Sequence, residues 1–398
     1  MGSWSLIEFH HGAHAMPRLL IINNIPTPYR TFMYNTLYDV GKHYDFDVTV
    51  AFQARRETRR VWKPEDFQMH FPHRFSRGVR GRPNEFFTRS TLNLDLLWTI
   101  RTHKYDYITI APSMSVANWI SAVLPTRKAK KLMWIEVNRL ALKNDYWPVR
   151  MFRRALYRGF DGTVCPGKRA FECVCYIRPA MAKKPVVYLP NLADTGAFTQ
   201  KVGVYRADRE ALRAELGVGK DMLMMLGIGI APCKGWHLAL PAIAEVPGDF
   251  RLFLLGDDPG RRDLEDIARK LKVEGRVRFL GNVSENGVLR HLAAADWFLH
   301  AATWDCSPLA CVEAVCAGLP MAVSRQTGNA PEVLEEGLNG LTFDPCDHDE
   351  FVTAIREMIA LPESQRESFG RESERIAGEK FDPVACARRF FVALSEIQ

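Results

Sequence analysis

Short apolar runs alternate with amphipathic stretches along most of the chain. The first half contains RLLIINN, FDVTVAF, YDYITIAP, KKLMWIEV, FDGTVCPG and PVVYLPN. The second half repeats the pattern with DMLMMLGIGI, FRLFLLGDD, VRFLGNV, DWFLHAA, PMAVSRQ and GLTFDP. Apolar strands that alternate with helices are typical of parallel sheets covered on both faces. The pattern therefore predicts an α/β protein with two Rossmann-like domains, each built on a doubly wound parallel sheet.

The predicted boundary between the domains lies in YLPNLADTGAF, where Pro190 and Gly196 interrupt the pattern. The opening segment MGSWSLIEFHHGAHA lacks the basic start and apolar middle of a signal peptide, so we interpret it as a leader or tag. The final segment predicts an amphipathic helix that can cross back to the first domain. The expected division is a leader at 1–15, an N-terminal domain at 16–192, a C-terminal domain at 193–380 and a helix at 381–398.

The charge of the chain is divided unevenly between the two halves. Residues 1–200 contain 30 Lys and Arg against 15 Asp and Glu, whereas residues 201–398 contain 23 against 31. The basic clusters RRETRR, RFSRGVRGR, RKAKK and RMFRRALYR all lie in the first half. The first half is therefore expected to meet an anionic partner, either nucleic acid or an anionic membrane surface.

The composition is that of an ordinary globular protein, with 47% hydrophobic and 25% charged residues. No apolar run reaches the roughly 18 residues that a membrane span needs. The nine cysteines are scattered, and several fall in apolar runs. This usage favours reduced, buried thiols in a cytosolic protein over a zinc site.

The stretch TWDCSPLACVEAVCAGLP predicts a helix that begins close to an anion site. Ser307 is a good N-cap, and Pro308 suits the first helical turn. The amides of Leu309 and Ala310 would then point out of the helix start, where a diphosphate can bind them.

Two carboxylates flank this helix start. Asp305 would repel phosphate, so we expect it to accept hydrogen bonds from neutral hydroxyls, and the positive helix start would keep it ionised. Glu313 lies further into the helix, within reach of a ribose diol beside the phosphates. The alternative is that both acids are solvated helix residues.

Two further loops follow predicted strands. In GIGIAPCKG the glycines, including Gly229, allow close backbone approach, and Lys234 offers a cation for phosphate oxygens. In NNIPTPYR, Thr27 can cap the next helix and Arg30 can face the cleft. The alternative in each case is a plain turn.

Two acidic segments suggest metal ligands but are interpreted as structural. DFD at 45–47 lies at the entry to a strand, away from the loops above. DPCDHDE at 344–350 offers Cys346 and His348, yet its acids suit the start of the following helix. We therefore predict no metal site.

Together these segments resemble glycosyltransferase family 4, from about Pro17 to the end of the chain. The similarity is strongest in DCSPLACVEAVCAGLPMAVSRQTGNAPEVLEEGLNGLTFDP, which carries an acid-x7-acid pattern, Gly-x-Pro and a downstream Pro-Glu. GIGIAPCKG, RVRFLGNVSENGVLRHLAAADWFLH and YLPNLADTGAF add to it. NNIPTPYRTFMYNTL resembles members that build bacterial surface polysaccharides. The resemblance implies the GT-B fold and a retaining mechanism.

The resemblance also implies roles. Glu313 would hold the nucleotide ribose, Asp305 would contact the donor sugar, and Lys234 with the amides of Leu309 and Ala310 would hold the diphosphate. Asp305 replaces the family's usual Glu. Glu136 stands where many relatives carry a cleft histidine.

One departure from the family pattern concerns diphosphate binding. Gly229 stands where an arginine often precedes the lysine by five positions. Without that arginine, weaker binding of the diphosphate is expected. Arg30, Arg139 or Arg325 can compensate, and the sequence does not choose among them.

The sequence thus predicts a retaining, metal-independent glycosyltransferase without a cofactor, peripheral at the inner face of the membrane. A nucleotide-sugar donor would bind the acidic C-terminal domain. A glycan or lipid-linked acceptor would bind the basic N-terminal domain. Two alternatives are a nicotinamide-dependent oxidoreductase, which Pro232 disfavours because it stands where the dinucleotide fingerprint needs glycine, and a nucleic-acid-binding module.

Overall fold

The computed structural model describes residues 16–55, 67–80, 91–111, 115–126, 128–142 and 145–397. Within these described residues, the N-terminal domain has nine strands: β1 Arg18–Asn23, β2 Asp47–Phe52, β3 His73–Phe75, β4 Val79–Arg80, β5 Thr91–Leu92, β6 Tyr107–Ile110, β7 Lys130–Trp134, β8 Gly162–Cys165 and β9 Val186–Tyr188. Its helices are α1 Pro28–Lys42, α2 Leu94–Thr102, α3 Val116–Val123, α4 Trp147–Tyr157 and α5 Lys168–Ile177.

The C-terminal domain repeats this architecture. Its strands are β10 Leu223–Ile228, β11 Phe250–Leu255, β12 Val277–Gly281, β13 Trp297–His300, β14 Met321–Ser324 and β15 Gly340–Phe343. Its helices are α6 Thr195–Arg206, α7 Arg209–Glu215, α8 Trp236–Glu245, α9 Arg261–Lys270, α10 Glu285–Ala294, α11 Leu309–Cys316, α12 Ala330–Val333, α13 His348–Ala360 and α14 Glu363–Phe381, and the chain continues into α15 Pro383–Ser395.

The two large sheets are parallel throughout. The N-terminal sheet has seven strands in the order β3-β2-β1-β6-β7-β8-β9, and the C-terminal sheet has six in the order β12-β11-β10-β13-β14-β15. The predicted fold class, two Rossmann-like α/β domains, is confirmed. Each apolar run quoted above forms a strand of these sheets. The edge strand β3 and the antiparallel pair β4–β5 were not predicted from the sequence.

Helices cover both faces of each sheet, which is why most strand positions on either face are apolar. In β1, Leu19 and Ile21 enter one buried cluster, and Leu20 and Ile22 enter the other. The same division holds in the second sheet, where Met224 and Met225 point to opposite cores. Successive side chains of a strand point to opposite faces, so a two-sided core needs apolar residues at every position.

Helix α15 leaves the C-terminal domain and packs on the N-terminal one. Cys386, Phe390 and Phe391 are fully buried in the same cluster as Leu19 and α1. The ring of Phe391 lies 5.0 Å from that of Phe46, and a methyl group at Gly41 would come within 2.9 Å of it. The C-terminal helix therefore forms part of the N-terminal core.

The strand order reverses at one point in each sheet, between β1 and β6 and between β10 and β13. Loops at the carboxyl ends of strands diverge at such points and leave a crevice where ligands bind. The loops predicted to bind ligand follow β1, β10 and β13, so each adjoins one of these crevices. Within the described residues, no helix is both long and apolar enough to cross a membrane.

Candidate functional site

The loop after β10 turns sharply beside the end of β13. A 3-10 turn at Pro232–Lys234 leads into Gly235, which has a φ of 72°. A methyl group on Gly235 would lie 2.0 Å from the carbonyl oxygen of Ala301. Only glycine combines this conformation with this approach. The turn therefore carries Lys234 against the loop that follows β13.

Gly229 opens the same loop and lies directly beside Lys234. Its φ is 84°, and its carbonyl accepts a hydrogen bond of 2.7 Å from the indole of Trp236. A methyl group at this position would lie 3.0 Å from Cε of Lys234. A longer side chain such as arginine would therefore displace the lysine as the loop is built here.

Lys234, Asp305 and His300 form a compact charged cluster. Lys234 Nζ lies 2.6 Å from Oδ2 of Asp305, and His300 Nε2 lies 3.3 Å from the same oxygen. The side chains of Lys234 and Asp305 are each 18% exposed, while that of His300 is buried. The cluster thus sits at the edge of the crevice, open to a ligand on one side.

The protonation states of the cluster follow from its geometry. Burial opposes ionisation of Asp305, but the contact with His300 and the charge of Lys234 outweigh it, so the pKa of Asp305 is held well below its ordinary value. Burial lowers the pKa of His300, and the charge of Lys234 lowers it further. At neutral pH the site therefore holds a carboxylate and a neutral imidazole.

This pairing differs from the sequence-based interpretation in one respect. We expected the start of helix α11 to keep Asp305 ionised, whereas Lys234 and His300 do so in the structure. In the ligand-free protein, Lys234 is bound to Asp305. If the predicted diphosphate binds here, it has to share the ammonium group with Asp305 or draw that group away.

Helix α11 begins one residue later than predicted. Its N-cap is Pro308, which is extended and offers no side-chain hydrogen bond, so the prediction of Ser307 as the N-cap is wrong. The φ of proline suits a helix, but the ψ of 123° keeps Pro308 outside it. Leu309 and Ala310 are still the first helical residues, and the amides of a first turn have no partner within the helix.

Glu313 lies on the first turns of α11, half-buried and close to Glu285. Burial raises the pKa of Glu313 to about 7. Within the described part of the chain, no cation pairs with this carboxyl group. Near neutral pH it therefore exists in both protonation states.

On the N-terminal side, Arg30 and Glu136 form an ion pair at the carboxyl ends of β1 and β7. Arg30 is buried and lies over the ring of Trp134. Thr27 occupies the N-cap position of α1 as predicted, but its side chain makes no capping bond. Among the described residues, Thr27 Oγ1 and Arg30 Nη1 are buried without a hydrogen-bond partner.

The arginines proposed to compensate for Gly229 are mostly occupied elsewhere. Arg30 pairs with Glu136, and Arg325 pairs with Glu350 on α13. The guanidinium of Arg139 stacks on Tyr176, 4.3 Å from the ring centre. Within the part of the chain that the structure describes, none of these arginines forms an ion pair with Asp305. Of the groups predicted to bind the diphosphate, Lys234 and the amides of α11 therefore lie at this crevice, whereas these arginines are engaged with other residues.

Two asparagines of the N-terminal side hold the loop that carries Asp305. Asn138 donates from Nδ2 to the carbonyl of Asp305 at 2.7 Å, and Asn191 donates to the carbonyl of Ser307 at 3.1 Å. Neither asparagine was predicted as a site residue from the sequence, and His300 was not predicted either. The position of His300 at the end of the apolar run DWFLHAA was the one available signal.

Further contacts between the two domains, away from the Asp305 loop, are also polar. A carboxylate oxygen of Glu332 accepts from the amide of Lys168 at the start of α5, at 2.9 Å. Arg169 donates to the carbonyl of Thr327 at 2.6 Å. Side chains here bind main-chain groups of the facing domain, so the contacts fix the relative position of the two domains.

The acidic segments rejected as metal sites have structural roles. Asp47 pairs with Arg18 at 3.2 Å. Asp347 caps α13 as predicted, accepting from the amide of Glu350 at 3.0 Å. No group of three or more metal-ligating side chains occurs among the described residues.

A family comparison matches residues 208–375 to the glycosyl transferases group 1. The matched segment runs from α7 into α14 and contains Lys234, His300, Asp305 and Glu313. The charged cluster and helix α11 therefore lie inside the family's region.

Two curated proteins illustrate the similarity. The lipopolysaccharide core biosynthesis glycosyltransferase LpsE of Rhizobium meliloti (strain 1021) is 31% identical over 221 residues, covering 53% of this chain and 61% of LpsE. Spore coat protein SA of Bacillus subtilis (strain 168) is 32% identical over 186 residues, covering 44% and 48%. The matched regions thus span about half the length of these relatives.

Among solved structures, Anabaena HepE in complex with UDP and glucose has a TM-score of 0.67 at 19% identity. The superposition covers 95% of this chain and 99% of HepE. This likeness extends over both domains and shows that the fold is GT-B. The comparisons give no support to an oxidoreductase or a nucleic-acid-binding module.

Proposed function

We propose that this protein is a retaining, metal-independent glycosyltransferase that moves a sugar from a nucleotide diphosphate sugar to a glycan or lipid-linked acceptor. The observation that carries the proposal is the Lys234–Asp305–His300 cluster at the reversal point of the second sheet. Asp305 of this cluster lies four residues before Leu309, the first residue of α11. A cation, a fixed acceptor oxygen and free helix amides thus meet at one crevice.

Each group has a distinct task in this proposal. The ammonium group of Lys234 and the amides of Leu309 and Ala310 stabilise the charge that develops on the leaving diphosphate. The Asp305 carboxylate accepts from hydroxyls of the donor sugar. Glu313 accepts from the ribose. Because Lys234 and the amides offset the diphosphate charge, the reaction does not require a divalent cation.

The acceptor is placed against the N-terminal side of the cleft. Thr27 and Arg30 hold buried polar atoms without a hydrogen-bond partner there, and Glu136 and Arg139 follow β7. These groups suit a polar glycan. The relatives include a lipopolysaccharide enzyme, which supports a role in bacterial surface polysaccharide synthesis. We accordingly place the protein in the cytoplasm, peripheral to the inner face of the membrane.

A donor screen tests the proposal. We expect one of the UDP-, GDP- or ADP-sugars to raise the melting temperature, and NAD and oligonucleotides to leave it unchanged. The matching donor should support transfer in the presence of EDTA, with the anomeric configuration of the product retained by NMR. Loss of transfer with EDTA that magnesium or manganese restores would contradict metal independence. Stabilisation by NAD alone would contradict the proposal as a whole.

Glu313 gives a pH-dependent prediction. The carboxylate form accepts hydrogen bonds from both ribose hydroxyls, and the pKa of about 7 places its ionisation near neutrality. Nucleotide affinity should therefore rise between about pH 6 and pH 8, with proton release on binding. Glu313→Gln should bind nucleotide with a loss of about 1.5–3 kcal/mol at pH 8 and show a flat pH profile. Calorimetry in buffers of different ionisation enthalpy measures both quantities.

The same substitution should stabilise the empty protein. The folded pKa of Glu313 exceeds its ordinary value of 4.5, so its contribution to stability is full below about pH 4.5 and is lost as the pH rises through 7. Glu313→Gln removes that loss and should raise the free energy of unfolding at pH 8 by about 2–3 kcal/mol. A destabilised variant would show that the carboxyl group has a structural partner instead.

A further inference from the structure

Helix α4 presents an apolar face to solvent. The side chain of Trp147 is 76% exposed, and Met151 one turn later is also exposed. Tyr146 and Phe152 extend this surface on either side. The residues of α4 that are buried are Leu156 and Tyr157, near its end. A surface helix of a globular protein normally places its polar side outward.

The outward face of α4 also carries positive charge. The sequence WPVRMFRRALY contains no acid. Asp145 binds Arg150 at 3.0 Å and approaches Arg153 at 3.9 Å, and it also accepts a hydrogen bond from Tyr176 of α5 at 3.0 Å. Arg154 and Arg158 are exposed, and neither forms an ion pair with any residue that the structure describes. Their charges remain available to an external anion.

We define the α4 face as Trp147, Met151, Phe152, Arg154 and Arg158. Four of these residues follow one another at spacings of four, three and four positions: Trp147, Met151, Arg154 and Arg158. On a helix such spacing places side chains along one side. Tryptophan and phenylalanine favour the boundary between lipid headgroups and acyl chains, and arginine binds anionic headgroups. The face thus has the two components of an interfacial membrane anchor.

The position of α4 connects this face with the cleft. The segment that leads into α4 from β7 carries Glu136 and Asn138, which lie at the ion pair with Arg30 and at the Asp305 loop. On the other side, Phe152 packs edge-on against Trp119 of α3, with ring centres 5.1 Å apart. A surface held by α4 would therefore lie beside the acceptor side of the cleft.

We propose that the α4 face docks this protein onto an anionic lipid surface. The inference rests on the proposed function for its purpose, because a lipid-linked acceptor has to be met at the membrane. Its chemistry, exposed aromatic and sulfur side chains beside unpaired arginines, stands apart from catalysis. Docking orients the cleft toward headgroups that carry the acceptor.

Vesicle flotation with the full chain tests the proposal. Vesicles of phosphatidylcholine with phosphatidylglycerol should bind the protein, and pure phosphatidylcholine vesicles should bind it far less. Trp147→Ser with Met151→Ser, and separately Arg154→Glu with Arg158→Glu, should each reduce binding about tenfold or more. The loss in the arginine variant should be matched in the wild type by high salt.

Matched controls lie on the other domain. Val204, which is 69% exposed on α6, and Lys220, exposed beside β10, provide Val204→Ser and Lys220→Glu. Both should bind vesicles like the wild type. Equal binding by the α4 variants and the controls would overturn the proposal. So would a change of sedimentation mass in the Trp147 variant without vesicles, because the face would then be a contact between protein copies.

The test separates this inference from the proposed function. Calorimetry with a nucleoside diphosphate should give the same affinity for wild type and α4 variants, since no donor-binding residue is altered. Vesicle binding without affinity for any nucleotide sugar would support membrane docking by the α4 face and would overturn the glycosyltransferase proposal. Sugar transfer from a nucleotide sugar without vesicle binding would overturn only the proposal that the α4 face docks on membranes.

Discussion

Asp305→Asn should lose sugar transfer by about 10²–10³-fold and still bind the free nucleoside diphosphate as tightly as the wild type, or more tightly. The carboxylate is an ionised acceptor on the sugar side of the site, and the amide accepts more weakly. The substitution also releases Lys234 from its 2.6 Å ion pair, which leaves the ammonium group free for the diphosphate. Transfer rate with the full donor and calorimetric affinity for the diphosphate form the paired measurement.

The control for this charge removal is Asp221→Asn, at an exposed position outside the cluster. Its transfer rate should equal that of the wild type. Asp305→Glu restores the acid that the related family usually carries, and we expect it to retain transfer with a changed sugar preference. Parallel losses of transfer and diphosphate affinity in Asp305→Asn would show that Asp305 does not act on the sugar.

Lys234→Met should lower the free energy of unfolding by about 3 kcal/mol. It should also weaken the binding of every nucleoside diphosphate and leave the binding of the free nucleoside unchanged. Removing one partner of a largely buried pair leaves the other charge uncompensated, at a typical cost of about 3–5 kcal/mol. The partial exposure of Asp305 places the expected value at the lower end. Denaturant unfolding measures the stability, and calorimetry compares nucleoside with nucleoside diphosphate.

A double variant separates charge from packing at Lys234. If the lost stability reflects the unpaired Asp305 carboxylate, Lys234→Met with Asp305→Asn should recover most of it. Lys220→Met, at an exposed lysine, provides the control. Equal destabilisation of the single and double variants would assign the effect to the packing of the loop beside Gly229.

The cluster also predicts a response to acid. Because the folded pKa of Asp305 lies below its ordinary value, its contribution to stability is present above that ordinary value and is lost as the pH falls toward the folded pKa.

Much of the fold follows from the apolar pattern. The strands with four or more residues are apolar because helices cover both faces of each sheet, and each was predicted. Strand β3 was not predicted because HRF has only three residues and lies at the edge of the sheet, where the burial pattern is weak. The start of α11 was misplaced by one residue because Ser307 suits an N-cap by type, whereas the ψ of Pro308 decides the boundary.

The site was predictable in its parts and not in its pairings. Lys234 and Asp305 were both identified, but they lie 71 positions apart, and their contact depends on β10 lying next to β13. Asn138 and Asn191 act across the seam between domains, on carbonyl oxygens, so no side-chain pattern marks them. Arg30 and Glu136 were each assigned to the cleft, and only the structure shows that they neutralise each other.

The return of α15 to the N-terminal core has a consequence for how the protein is made. Domains of a growing chain generally fold in order as they leave the ribosome. Here the cluster around Leu19 and α1 lacks Phe390 and Phe391 until a whole further domain has been synthesised. The N-terminal cluster can therefore be completed only after α15 has been synthesised, whereas the C-terminal clusters need no residue beyond Phe381.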